Sequence, residues 1–261
     1  SEVRLAMRTL KLTLSYDGTR LVGWQRQAEG DSVQGVLEDA LARFEGRPVT
    51  VHGAGRTDAG VHAVGQVASV EVDFAHDVST LARALNAQLP EDVRVLSVED
   101  VAAGFHARFG ARSKTYHYCI RTGPLVSPFE RAFVWHVPQP LDVEAMRRAA
   151  SSLLGRHDFS SFRSIGTEVP DAVRTLHVSA VVETPGALPW LGDGTALLTY
   201  QVTGNGFLRH MVRAIVGTLV EVGRGWRDPA QMDALVQAKD RARAGATAPP
   251  QGLFLVRVDY D

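Results

Sequence analysis

Residues 53–67 read GAGRTDAGVHAVGQV, the densest chemical signal in the chain. Glycines at 53, 55, 60 and 65 surround Arg56 and Asp58. Glycine tolerates backbone angles and close approaches that other residues do not. Two phosphate loops that would signal a parallel α/β sheet fail on inspection. A dinucleotide loop of the form GxGxxG needs glycine at its sixth position, where this chain has Asp58. A Walker loop needs Lys followed by Ser or Thr after its second glycine, and Gly60 is followed by Val61 and His62. For any generic Gly-rich turn the ordinary reading is a tight link with a solvated ion pair. The functional reading is a loop that presents one carboxylate and one guanidinium between two strands, near 48–53 and 64–73.

Working outward, Leu10, Leu12 and Leu14 alternate with Lys11, Thr13 and Ser15, the pattern of a half-buried strand. Val33, Val36, Leu37, Ala40, Leu41 and Phe44 form the stripe of an amphipathic helix. Ser32 is its N-cap and Gly46 lies just past its end. A helix over about 80–87 and a strand over 93–98 complete the first half. In the second half, KTYHYCI (114–120) reads as a strand with Tyr116, Tyr118 and Ile120 on one face, and AFVWHV (132–137) as a neighbour. Asp142 caps a helix running to Gly155. Strands near 173–183 and 195–203 flank a Gly- and Pro-rich loop, PGALPWLGDG (185–194). A long helix is expected over about 206–222, another opens at Asp228-Pro229, and GLFLVRVDY (252–260) is a closing strand. This order indicates an α+β protein with antiparallel or mixed sheets flanked by helices. Two subdomains are expected: 1–105, carrying the Asp58 loop, and 106–261, carrying the basic strand and the long helix.

Composition narrows the class. The chain has 261 residues, with 28 Lys plus Arg against 29 Asp plus Glu, and hydrophobic and charged contents of 45% and 22%. These are values of a globular protein, not a disordered one. The single cysteine, Cys119, cannot form an internal disulfide, and no HExxH spacing occurs among the nine histidines. No metal and no cofactor motif is found. No apolar run approaches the ~18 residues of a membrane span. The N-terminal stretch lacks the uninterrupted apolar core of a signal peptide, so a cytoplasmic protein is expected, with residues 1 to about 8 a loose leader and Met7 an equally plausible start.

The net charge of −1 hides segregation. Residues 104–131 hold Arg108, Arg112, Lys114, Arg121 and Arg131 against Glu130 alone. Residues 67–103 hold two cations against seven acids. Basic residues interleaved with Tyr116 and Tyr118 suit splayed nucleotides, which combine phosphate contacts with stacking, although alternating tyrosines are also ordinary strand core. A third segment, GNGFLRHMVRAIVG (204–217), sets Arg209 and Arg213 one helical turn apart on an otherwise apolar helix.

Taken in order, YDGTRLVGWQRQ (16–27), GRTDAGVHA (55–63), KTY (114–116), LLGRHDFSSF (153–162), NGFLRHMVRAIVG (205–217) and GLFLVRVDY (252–260) resemble the tRNA pseudouridine synthase A family over essentially the whole chain. The resemblance implies the pseudouridine synthase fold, with the active-site cleft between the subdomains. It implies isomerisation of uridine to pseudouridine at positions 38, 39 and 40 of the tRNA anticodon stem–loop, without metal or cofactor, by a homodimer. It assigns Asp58 as the essential carboxylate, acting as nucleophile or base, and Arg213 as its partner. It places Tyr116 on the target base, Arg56 in the space that base vacates, and Leu253 as an apolar wall. Arg209 has no assigned role and is either a phosphate contact or solvated charge. A glycosidase is disfavoured, because its chemistry needs two acids flanking the bond and only Asp58 lies in a credible motif.

Overall fold

The computed structural model describes residues 7–73, 75–164, 166, 170–184 and 197–261. The expected leader up to residue 6 and the loop at 185–194 lie outside them. In chain order the regular elements are β1 (Arg8–Tyr16), α1 (Val33–Glu45), β2 (His52–Gly53), β3 (His62–Val72), α2 (Val78–Gln88), β4 (Val93–Val101), β5 (Ser113–Thr122), β6 (Trp135–Val137), α3 (Val143–Ser151), β7 (Gly155–Asp158), β8 (Val173–Thr184), β9 (Leu197–Gly204), α4 (Met211–Gly223), α5 (Met232–Ala238) and β10 (Leu253–Asp259). Helices and mixed-direction strands in this order make an α+β protein, as the sequence indicates.

The chain divides into two compact units, Ser1–Arg112 with Phe254–Asp261, and Ser113–Leu253. The boundary expected at 105/106 falls seven residues earlier, and the last strand returns to the first unit. The physical reason is pairing that no local pattern reveals: β10 runs parallel to β3, with Phe254 opposite His62 and Leu255 opposite Ala63.

In the first unit, β1 lies antiparallel between β3 and β4. Leu10, Leu12 and Leu14 are fully buried and Tyr16 nearly so, which is the period-2 alternation of a sheet with one face in the core. Ser32 caps α1 with its Oγ accepting from the Gly35 amide at 3.0 Å, and Gly46 closes it in the left-handed region at φ 71°. Both ends agree with the sequence. Ser32→Ala is expected to destabilise the protein by about 1 kcal/mol, seen as a lower urea midpoint at unchanged m. A loss below about 0.3 kcal/mol would show that the cap contributes nothing. The second helix starts earlier than read, at Val78, because Asp77 accepts the Thr80 amide. The strand expected at 48–53 shrinks to His52–Gly53.

In the second unit, β5, β9, β8 and β7 form an antiparallel ladder with β6 parallel to β5. Tyr116, Tyr118 and Ile120 share the buried face of β5. α4 is buried almost all round: only Arg213 and Glu221 of its thirteen residues escape burial. A helix buried on nearly every side belongs in a core. α4 begins at Met211, not near 206. Residues 205–210 are held away from helical geometry because Asn205 closes a two-way contact with Thr175: its amide donates to Thr175 O at 3.1 Å and its Oδ1 accepts the Thr175 amide at 2.9 Å. His210 caps the helix from the left-handed region at φ 62°, uncommon for a residue with a side chain. Arg209 therefore lies outside the helix and does not share a turn with Arg213.

Candidate active site

The Asp58 loop is assembled within the first unit. Asp58 and Arg56 share it, Asp58 half-buried and Arg56 exposed. The Val61 amide donates to Asp58 O at 3.1 Å, and Gly60 sits at φ 80°. That is a four-residue turn whose third position needs a positive φ, which glycine supplies. The residue before Asp58 is held on two sides. Thr57 O accepts the Trp24 amide at 3.0 Å, and Thr57 Oγ1 shares a buried 2.8 Å hydrogen bond with Tyr16 Oη. Gln66 completes the support. Its Nε2 donates to Gly55 O at 2.8 Å and to Tyr16 Oη at 3.3 Å. Burial pushes the Tyr16 phenol up to about 12, so it stays neutral in this setting.

Segment 17–24 wraps the loop closely enough that glycine is required. A Cβ on Gly18 would lie 2.0 Å from Val61 O, and one on Gly23, itself at φ 105°, would lie 2.7 Å from Thr57 O. The Gly18 amide donates to His62 Nδ1 at 2.9 Å. That nitrogen is therefore an acceptor, with no proton for Asp17 Oδ1 3.3 Å away.

The other three predicted residues lie in the second unit. Tyr116 is buried on β5 and meets Phe207 edge to face at 5.1 Å. Arg213 lies in the third position of α4, and its Nε donates to Ala248 O at 2.8 Å. The Ala248 amide donates back to Arg213 O at 3.0 Å. Leu253, 6% exposed, ends the stretch that begins at Gly245. This strap, residues 245–252, is pinned at several points. The Gly245 amide donates to Thr218 Oγ1 at 2.9 Å, and the Tyr118 hydroxyl donates to Pro249 O at 2.6 Å. Gly252 lies against the Tyr118 ring, where a Cβ would come within 2.7 Å. The strap thus fixes both the guanidinium of Arg213 and the position of Leu253.

Burial raises Tyr118 well above the usual phenol range and pushes the Cys119 thiol up to about 11. Neither is an ionised nucleophile near neutral pH. Among the described residues, no group of three or more His, Cys, Asp or Glu side chains is placed to hold a metal, and no helix is long and apolar enough to cross a membrane.

Sequence reasoning pointed to Asp58, Arg56, Tyr116, Arg213 and Leu253 but not to their supports. Nothing local marks Gln66 or the strap, and Tyr118 reads as strand core or a stacking face, not as an anchor for the strap. The one available signal was YDG at 16–18, directly after a clear strand.

Three comparisons bear on this arrangement. A family model described as tRNA pseudouridine synthase matches residues 13–110 and 149–261. Asp58, Arg56, Arg213 and Leu253 lie inside the matched segments and Tyr116 between them. The chain is 47% identical over 255 residues to a tRNA pseudouridine synthase A of Myxococcus xanthus, covering 97% of this chain and 92% of the relative. It is 43% identical over 257 residues to the protein of the same name from Streptococcus pneumoniae (strain Taiwan19F-14), covering 98% of this chain and all of the relative.

Proposed function

This chain belongs to the tRNA pseudouridine synthase family, and from that premise we propose that it acts at positions 38, 39 and 40 of the anticodon stem–loop with Asp58 as its essential carboxylate. The enzyme is an isomerase of uridine in tRNA. The observation that carries the finer reading is the Asp58 loop itself: a half-buried carboxylate in a turn fastened by Tyr16, Gln66 and Trp24.

The reaction breaks the N1–C1′ bond of uridine, turns the base, and forms a C5–C1′ bond. The hydrogen on C5 leaves and N1 gains one, so composition is unchanged and no redox partner is needed. An ionised oxygen must either attack the nucleotide or remove a proton from it, and Asp58 supplies that oxygen. Arg213 is assigned as the catalytic cation, a group suited to fixed bidentate pairing with a carboxylate. Tyr116 stacks on the base and takes part in proton removal at C5. Leu253 forms the apolar wall beside the base, and Arg56 fills the space the base leaves. The target base must leave its stack, at a cost of a few kcal/mol that is least at a stem end or loop. Positions at the stem–loop boundary fit that cost. An A-form duplex is read by shape and backbone charge, which suits an enzyme acting on several neighbouring uridines. A cytoplasmic homodimer whose tRNA contacts both protomers completes the reading.

The test is tritium release from tRNA labelled at C5 of uridine, followed by carbodiimide primer extension to locate the product. Release with stops confined to positions 38–40 is the expected result. Wild-type protein that binds tRNA and releases no tritium would be a binding module, and stops elsewhere would overturn the assigned positions.

A further inference from the structure

We propose that Tyr16 is a positioning residue for the isomerisation, acting through the Thr57 side chain to hold the Asp58 carboxylate in register; this rests on the role of Asp58 given above. Three observations lead there. First, the pairing of β1 with β3 loses its regular register between Leu14 and Tyr16: Leu14 faces Gln66, but Tyr16 faces Ala63. Such irregularities bend a strand and re-aim side chains, often beside active sites. Here the irregularity falls at the end of β1 from which the phenol reaches the Asp58 loop.

Second, the phenol oxygen joins the two polar groups that fasten the loop. It lies 2.8 Å from Thr57 Oγ1 and accepts from Gln66 Nε2, whose amide nitrogen also holds Gly55 O. Tyr16, Thr57 and Gln66 are 4%, 7% and 0% exposed. A buried hydroxyl is costly unless paired, and a leucine or phenylalanine would fill the same apolar space without that cost. The hydroxyls therefore serve orientation more than burial.

Third, the residues they fix immediately flank the carboxylate. Thr57 is held by its side chain and its carbonyl, and Asp58 O is held by the Val61 amide. The backbone is thus clamped immediately before and after the Asp58 carboxylate. Reactive groups must be placed to within a fraction of an ångström, and a displacement of about 1 Å costs roughly 10²-fold in rate.

The experiment compares single-turnover isomerisation and tRNA affinity for wild type, Tyr16→Phe, Thr57→Val, Thr57→Ser and the double variant Tyr16→Phe/Thr57→Val, with rates normalised to the folded fraction from urea titration. Tyr16→Phe and Thr57→Val are each expected to slow the chemical step about tenfold while the tRNA Kd stays within about twofold, and Thr57→Ser to keep the wild-type rate within about threefold. Both substitutions break the shared Tyr16–Thr57 bond, and Tyr16→Phe also removes the acceptor of Gln66 Nε2, so the double variant should be no slower than the slower single. The proposal is overturned by a Tyr16→Phe rate within twofold of wild type, by effects that multiply in the double variant, or by a loss seen in Kd and not in rate. Wild-type protein without tritium release would refute the functional reading instead, so the two failures are distinguishable.

Discussion

Asp58→Asn and Asp58→Ala are each expected to abolish tritium release, a loss on the order of 10⁴-fold or more, as for removal of a residue that acts on the reacting atoms. The reasoning starts from charge. Asparagine keeps the shape of the side chain but cannot attack as an anion or accept a proton at neutral pH, so both chemical roles open to Asp58 vanish together. Nothing comparable should happen to the fold. Asp58 is half-buried, and its backbone is held by Val61 and, through Thr57, by Trp24 and Tyr16, contacts that either substitution leaves in place. The urea midpoint should therefore stay near wild type or rise, since residues selected for chemistry often cost stability. Binding should also persist, because tRNA is held mainly by phosphate contacts, in which one carboxylate has no favourable part. A variant retaining more than about one per cent of the wild-type single-turnover rate would remove Asp58 from the reacting atoms. A variant inactive only because tRNA no longer binds would make it a binding residue.

What the sequence made legible follows one rule: it was whatever a local period or a cap could state. The alternation of Leu10, Leu12 and Leu14 placed β1. Ser32 and Gly46 bracketed α1, and the spacing of Tyr116, Tyr118 and Ile120 gave the buried face of β5. What failed depended on a distant partner. The apolar run from Phe207 continues smoothly into α4, so periodicity alone starts the helix too early. The start moves to Met211 because Asn205 is engaged with Thr175 on β8. β10 carries no mark that it joins β3, the strand after the Asp58 loop.

The same division runs through the candidate site. The motif GRTDAGVHA drew attention to Asp58 and Arg56. The residues that fix the loop stand at 16, 23, 24 and 66; Tyr16 continues the alternation of β1, which marks it as core and not as a loop support, and the other three belong to no repeating pattern. In the second unit, the strap over 245–252 reads as an unremarkable run of Gly, Ala, Thr, Pro and Gln. Its meaning depends on what it touches. It binds Arg213 through Ala248, α4 through Thr218, and β5 through Tyr118. Small residues here record a close approach of backbones, which composition cannot distinguish from a solvated loop.

That close approach makes Gly217→Ala the most damaging small substitution in the second unit. Alanine is the better helix former, by about 1 kcal/mol in a helix interior, so a solvent-facing Gly217 would gain from the change. In this chain the opposite is expected. A Cβ at 217 would lie 1.7 Å from Ala246 O and 2.9 Å from the Ala246 carbonyl carbon. Both are backbone atoms and cannot rotate away as a side chain would. Gly245 faces the same contact from the strap, where a Cβ would come 2.8 Å from the Thr218 amide nitrogen. Relief requires the strap to lift from α4, and lifting it weakens three named hydrogen bonds: Gly245 amide to Thr218 Oγ1, Ala248 amide to Arg213 O, and Arg213 Nε to Ala248 O. Overpacking in a tight core costs about 1–3 kcal/mol, and each buried hydrogen bond lost adds about 1 kcal/mol. Against the 1 kcal/mol propensity gain, a net destabilisation of roughly 2–4 kcal/mol is expected. At roughly 2–4 °C per kcal/mol for a chain approaching this size, Tm should fall by roughly 5–15 °C. The residual folded protein should isomerise more slowly as well, since the strap sets the Arg213 guanidinium and leads into Leu253. A Gly217→Ala protein whose Tm matches or exceeds wild type would mean that helix propensity prevails and that the strap does not press on α4 in solution.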